Sequence, residues 1–177
     1  MNKFMQLVVL FFTVVIVAAS MLLANMGARG GVAAATPDNP LYTPYHGTLT
    51  AVLIADSFDD PVYVLRYGII SYRVGRVGGN PVGAVFVVST TGWQPGLIYL
   101  VGVGSDGRIS GVHIIDHNET PDFWEIVLDA RFYSGLVGNA AGFGFDEATG
   151  ATRTSYALFR GAYNAIELFA RYVQPQM

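Results

Sequence analysis

At 177 residues the chain has room for one domain of ordinary size and an appendage. It contains no cysteine, which excludes disulfides, thiolate metal sites, iron–sulfur ligation and cysteinyl flavin links. A net charge of −3 with one lysine, Lys3, excludes the basic face of a nucleic-acid binder, and 52% hydrophobic against 13% charged residues is apolar for a soluble protein.

The apolar excess begins at once. Phe4 to Met26 is broken only by Gln6, Thr13, Ser20 and Asn25. That run matches the roughly 20 apolar residues a helix needs to cross a bilayer. Lys3 precedes it and Arg29 follows, and a short basic N-terminus stays cytoplasmic. The reading is a single transmembrane anchor over residues 1–27, touching membrane lipid through residues 4–26. The protein is then expected in the cytoplasmic (inner) membrane, single-pass, its domain facing the periplasm or cell exterior. Small residues at Ala33-Ala34-Ala35 offer a rival, a cleaved signal peptide, but the apolar run exceeds the usual length of a signal core. Residues 28–47, with Gly30-Gly31, Pro37, Pro40 and Pro44, read as a linker, and residues 48–177 as one domain.

Thr48 to Ile54 suits a strand or the start of a helix. Asp56 to Pro61 is turn-like; its acidic residues Asp56, Asp59 and Asp60 are expected to solvate a loop rather than bind calcium. Val62 to Val74 is aromatic and β-branched, which favours strands. Gly75 to Pro81 reads as a loop. Val82 to Ser89, Leu97 to Val103 and Arg108 to Asp116 read as three more strands, the last two joined by a tight hairpin at Asp106-Gly107. Pro121 to Phe132 predicts a helix, with Pro121 in its first turn and Asp122 and Glu125 at its positive end. Gly135 to Gly144 is glycine-rich and irregular. From Thr154 a second helix is expected, its core stripe formed by Phe159, Ala162, Tyr163, Ile166, Phe169, Ala170 and Val173 and its end set by Pro175. The fold class is therefore α+β, an antiparallel sheet with flanking helices.

Two stretches carry chemistry. The first is Asp146-Glu147-Ala148-Thr149-Gly150-Ala151-Thr152-Arg153-Thr154-Ser155. Gly150 allows positive φ or close approach of a ligand, and Thr154 or Ser155 could cap the helix that follows. A hydroxyl at Thr152, beside a helix N-terminus, suits a phosphate, because free N–H groups and the helix dipole favour an anion. The second is Thr91-Gly92-Trp93, the hairpin, then His117-Asn118-Glu119-Thr120-Pro121. Trp93, Phe123 and Trp124 could form an apolar wall, Glu119 and Thr120 polar contacts, and Arg153 a counter-charge; core packing and helix capping are the plain alternatives. His113 and His117 are four apart, but on a strand running into a loop, which is no easy chelate, so no metal site is expected.

Both stretches resemble the FMN-binding domain family that includes RnfG and NqrC. The family pattern is Asp, two variable residues, Ser or Thr, Gly-Ala-Thr, then x-Thr-Ser, preceded by a Gly-aromatic pair, a hairpin and His-x-Glu-Thr-Pro-Gly. Here Asp122 stands in place of that last glycine, with Phe123-Trp124 after it. The resemblance covers residues 82 to 172 and the N-terminal anchor. It implies FMN held covalently on Thr152 through a phosphoester, with Thr149, Gly150, Ala151, Glu119, Thr120, Trp93 and Asp146 at the cofactor site. It implies a flavin transferase during maturation, other subunits of a membrane redox complex as partners, and an electron-relay role rather than catalytic turnover. The alternative is an accessory or assembly subunit that keeps the fold without redox work.

Overall fold

The structure is a computed structural model that describes residue 44, residues 46–129, residue 132, residues 134–144 and residues 150–177. The expected anchor, most of the expected linker, Asp146 and Thr149 lie outside the described residues. Among the described residues no helix is long and apolar enough to cross a membrane.

The chain enters through a short helix α1 (His46–Thr50) and continues through strands β1 (Ser57–Phe58), β2 (Val62–Arg66), β3 (Ile69–Val77), β4 (Asn80–Thr91), β5 (Pro95–Gly104) and β6 (Ile109–Asp116). Helix α2 (Pro121–Asp129), a 3-10 turn at Ser134–Leu136 and helix α3 (Thr152–Leu168) follow. The sheet is antiparallel throughout, in the order β1-β3-β4-β5-β6, with β2 also paired to β3.

Alternation along the central strands divides the core in two. Phe86 and Val88 on β4, with Leu97, Tyr99 and Val101 on β5, point to one face and pack under Leu158, Ala162, Ala165, Ile166 and Phe169 of the C-terminal helical segment. Val85, Val87, Ile98 and Leu100 point to the other face and meet Leu49, Val52 and Leu53. Because both faces are covered, the sequence of β4 and β5 is nearly continuously apolar.

The second face holds its cover unusually close. Gly75, Gly83, Gly102 and Gly111 occupy four neighbouring strands, with Gly75 paired to Gly83 and Gly102 to Gly111. A Cβ at Gly111 would lie 2.8 Å from Val52 Cα, one at Gly75 2.8 Å from Leu53 Cδ2, and one at Gly102 would fall on the Val52 carbonyl. The missing side chains form a trough in which the strap Val52–Ala55 lies. Ser110 Oγ donates to the Val52 carbonyl at 2.6 Å and fixes it there.

Thr48 to Ile54, left open between strand and helix, is helical through Thr50 and then passes into a turn and a bend. Other local expectations are corrected. The expected loop at Gly75 to Pro81 shrinks to Gly78-Gly79, at φ +55° and +83°, so β3 and β4 stay paired out to Val77 and Asn80. In the C-terminal stripe Ala162, Ile166, Phe169 and Val173 are buried as expected and Leu158 and Ala165 join them, but Ala170 is exposed, and Phe159 and Tyr163 form a side cluster with Phe143 at centroid distances of 5.1 and 6.2 Å. Pro175 does not stop the helical path. A π-type turn at Phe169–Val173 leads into a 3-10 turn at Gln174–Gln176, whose first turn accepts proline because an N–H is not needed there.

Candidate functional site

Helix α3 starts earlier than its sequence suggests. Gly150 has φ +93°, Ala151 (φ −124°, ψ 33°) is the N-cap residue, and no side chain caps the helix. The expected caps are used elsewhere. Ser155 Oγ donates back to the carbonyls of Ala151 and Thr152, both at 3.1 Å. Thr154 Oγ1 donates to Glu119 Oε2 at 2.6 Å. Thr152 is thus the first helical residue, with its side chain exposed. The N–H groups of Thr152, Arg153 and Thr154 lie in the first turn, where no preceding helical carbonyl can pair them. The first backbone bond of the helix runs from Ser155 N to Ala151 O at 3.0 Å.

What holds this helix start in place is a buried carboxylate. Glu119 is only 5% exposed. It accepts from the backbone N–H of Trp93 and of Gln94, each at 3.2 Å, as well as from Thr154. It therefore joins the β4–β5 turn, the β6–α2 connection and the first turn of α3. Gly92 is required here for space: a Cβ would fall on Glu119 Oε1 and lie 3.1 Å from Thr154 Cα. Further along, the Tyr99 hydroxyl donates to the carbonyls of Ala157 and Leu158 at 3.0 and 3.1 Å. Burial pushes that hydroxyl well above its usual pKa, so it stays a neutral donor under α3. Gly161 leaves the room its ring end needs.

Trp93, Phe123 and residues 150–154 line a cavity of about 150 Å³. The Trp93 and Phe123 rings are 5.3 Å apart between centroids, and the Arg153 guanidinium lies 5.3 Å from the Trp93 centroid. Trp93 is 47% exposed, so the indole is a surface platform and not core.

The structure brings together Trp93, Phe123, Gly150, Ala151, Thr152 and Arg153 at one cavity, with Glu119 behind it. Thr120 is exposed and its carbonyl accepts from Trp124 N at 3.0 Å, at the start of α2. Trp124 leaves the expected wall and stacks on His117 with centroids 4.0 Å apart. His113 is exposed on β6. Among the described residues no three His, Cys, Asp or Glu side chains come together as a metal site. Sequence reasoning missed that Glu119 serves the backbone of Trp93 and Gln94; its spacing from Gly92 gave no sign of the contact. It offered Arg153 only as a counter-charge, where the structure also sets it over an aromatic ring.

Residues 92–167 match the model of the FMN-binding domain family. This part of the chain resembles the FMN-binding domain family. Three relatives are each named as the G subunit of an ion-translocating oxidoreductase complex. The protein from Stutzerimonas stutzeri is 29% identical over 133 residues, 67% of this chain and 58% of that protein. The one from Pseudoalteromonas atlantica is 34% identical over 110 residues, covering 52% and 50%. The one from Cereibacter sphaeroides is 29% identical over 180 residues, covering 89% and 80%. Against the first two, the chain spans only 58% and 50% of the relative's length.

The donor set at the start of α3 fits the FMN that the matching family model is named for. An FMN phosphate needs N–H donors and a favourable dipole, which the uncapped start of α3 offers. A flavin ring needs a flat apolar surface, which Trp93 and Phe123 offer.

Proposed function

We propose that this FMN-binding domain is a membrane-anchored electron relay that carries FMN covalently through a phosphoester on the Thr152 hydroxyl. The observation that carries the reading is the exposed Thr152 side chain at the first position of α3, within a cavity walled by Trp93 and Phe123. When bound, FMN would supply one- and two-electron redox chemistry. The protein's own part is binding and orientation. The first-turn N–H groups and the helix dipole take up phosphate charge. Gly150 allows the backbone to approach it, at a φ that side-chain-bearing residues rarely adopt. Arg153 adds positive charge above the indole.

The size of the cavity explains why a covalent link would be useful. At about 150 Å³ it falls below the roughly 300 Å³ from which pockets enclose a drug-sized ligand. A flavin here would lie on the surface with one edge open to a partner, and without a tether it would be lost readily. An open edge suits exchange of electrons between proteins more than turnover of a small substrate. In this reading Asp146 and Thr149 complete the attachment motif read by a flavin transferase, residues 4–26 anchor the chain in the inner membrane, and the domain faces away from the cytoplasm. The partners would be other subunits of a membrane redox complex, in keeping with the name the relatives share.

The test is the intact mass of the purified chain and flavin fluorescence on a denaturing gel. One FMN-sized adduct is expected, and Thr152→Ala should abolish it while leaving the fold intact. Fluorescence persisting in the variant would move the tether to Thr149 or Thr154.

A further inference from the structure

A second cavity lies at the other end of α3. A groove of about 570 Å³ opens between the β2–β3 hairpin and the C-terminal end of the helix. Its walls include Arg66, Tyr67, Tyr72, Glu167, Arg171 and Tyr172, and it shares no lining residue with the Thr152 cavity. Asn164, on its helical wall, follows Thr152 by twelve residues, about 18 Å along a helix axis. The volume sits inside the roughly 300–1,000 Å³ of sites that hold small molecules.

The lining has a particular chemistry. Tyr67 and Tyr172 are 66% and 57% exposed. The Arg66 guanidinium lies 5.1 Å from the centroid of the Tyr67 ring, so a cation and an aromatic face are already stacked. Among the described residues neither Arg66 nor Arg171 has a carboxylate within ion-pair distance, although Glu167 lines the same groove. Two arginines therefore face one carboxylate, leaving positive charge in excess.

The two walls are also fixed to each other. Asn164 Nδ2 on the helix donates to the Tyr67 carbonyl on the hairpin at 2.9 Å. Tyr67 (φ +57°) and Leu65 (φ +51°) are the only non-glycine residues with positive φ among the described residues, and both belong to this hairpin. Side chains rarely tolerate that conformation, and such departures collect at binding sites.

We propose that this groove is a second ligand site, for a planar aromatic anion. Tyrosine faces alone would take any flat apolar group. The two arginines without carboxylate partners add the requirement for a carboxylate or phosphate, which a guanidinium grips through two parallel N–H donors. An aromatic carboxylate and a nucleotide share that chemistry.

The experiment is equilibrium dialysis of the full-length chain in detergent against 2-naphthoate and against adenosine monophosphate. Neutral 2-naphthalenemethanol and acetate serve as controls. Saturable binding of one probe per chain is expected for at least one of the two anions, and which one binds distinguishes carboxylate from nucleotide. Arg66→Gln and Arg171→Gln should each weaken it about ten-fold, the order expected for one lost charge-assisted contact, with an unchanged unfolding midpoint. Binding should be unaffected in Thr152→Ala, so this site and the flavin site stand or fall separately. Absence of saturable binding, equal affinity for the neutral alcohol, or full binding in both arginine variants would overturn the proposal. So would failure of both anions together with Tyr67 and Tyr172 shielded from surface labelling in native membranes, which would make the groove a protein interface.

Discussion

Thr154 Oγ1 reaches across 35 positions of sequence to donate a 2.6 Å hydrogen bond to Glu119 Oε2, and the same carboxylate receives the backbone N–H groups of Trp93 and Gln94. One buried side chain thus holds three segments around the Thr152 cavity. Glu119→Ala would leave those three donors without their acceptor. Each buried unsatisfied donor costs about 1–3 kcal/mol. Trp93 and Gln94 are themselves exposed, so water can serve part of their need. A total loss of about 2–4 kcal/mol is therefore expected, measured by urea unfolding of the full chain. Glu119→Gln keeps one acceptor oxygen and should recover part of it. A loss below about 1 kcal/mol in Glu119→Ala would show that the clamp is dispensable.

The glycine trough gives a sharper steric prediction. Gly102→Val would drive a side chain into the Val52 carbonyl and against Ser110 Oγ, 2.6 Å from a Cβ at that position. Backbone cannot yield there as a flexible side chain would. The strap Val52–Ala55 should lift, with a stability loss of about 1–3 kcal/mol or more from overpacking. Limited proteolysis should then cut near residues 50–56 in the variant and spare the parent chain. Equal cleavage of both would mean that the strap is not held by the trough.

How legible all this was in the sequence depended on the range of the interaction. The strands were readable because β4 and β5 are buried on both faces, and a short, continuous, β-branched apolar run such as Val82 to Ser89 suits little besides a strand covered on both sides. The Asp106-Gly107 hairpin was readable because its turn chemistry is local, with Gly107 at φ +76°. The C-terminal stripe was read correctly at Ala162, Ile166, Phe169 and Val173 and misread at Phe159 and Tyr163, which have the same periodicity as Leu158 and Ala162. Only the packing partner Phe143 separates side cluster from core. The early start of α3 was hidden for a related reason. Thr154 and Ser155 look like caps, but Thr154 is claimed by Glu119 from a distant segment. The trough was invisible, since four glycines far apart in sequence signal nothing until the sheet aligns them.

Asp59 supplies a pH-dependent element on the far edge of the sheet. Arg76 donates to both its carboxylate oxygens, at 2.8 and 2.9 Å. Those hydrogen bonds, with the guanidinium charge, hold the Asp59 carboxyl below its ordinary pKa against a smaller opposing effect of burial. A depressed folded value means the contribution is complete above the unfolded value of about 3.9 and is lost as pH falls through the folded one. Both side chains are more than a third exposed, so the effect is small and weakened by salt. The acid limb of an unfolding-midpoint profile should flatten slightly in Asp59→Asn below about pH 4. An unchanged acid limb at low salt would remove the pair from any account of acid stability.

The last prediction concerns the surface on which the flavin ring is proposed to rest. Trp93 is nearly half exposed, lies 5.3 Å from Phe123, and carries the Arg153 guanidinium over its ring. Trp93→Leu keeps an apolar side chain and leaves the backbone N–H to Glu119 in place. It removes the flat face and the cation–π contact, worth about 0.5–1 kcal/mol at an exposed site. The fold should therefore hold, and attachment at Thr152 should survive, giving undiminished fluorescence on a denaturing gel. The bound flavin would lose its stacking surface, so its visible absorption and reduction potential should both shift. Arg153→Gln should shift the potential downward as well, because a positive charge near the ring favours the more negative reduced form. If spectrum and potential are unchanged in both variants while flavin remains attached, the ring lies elsewhere on the domain and the Trp93–Phe123 pair is only part of the protein's surface.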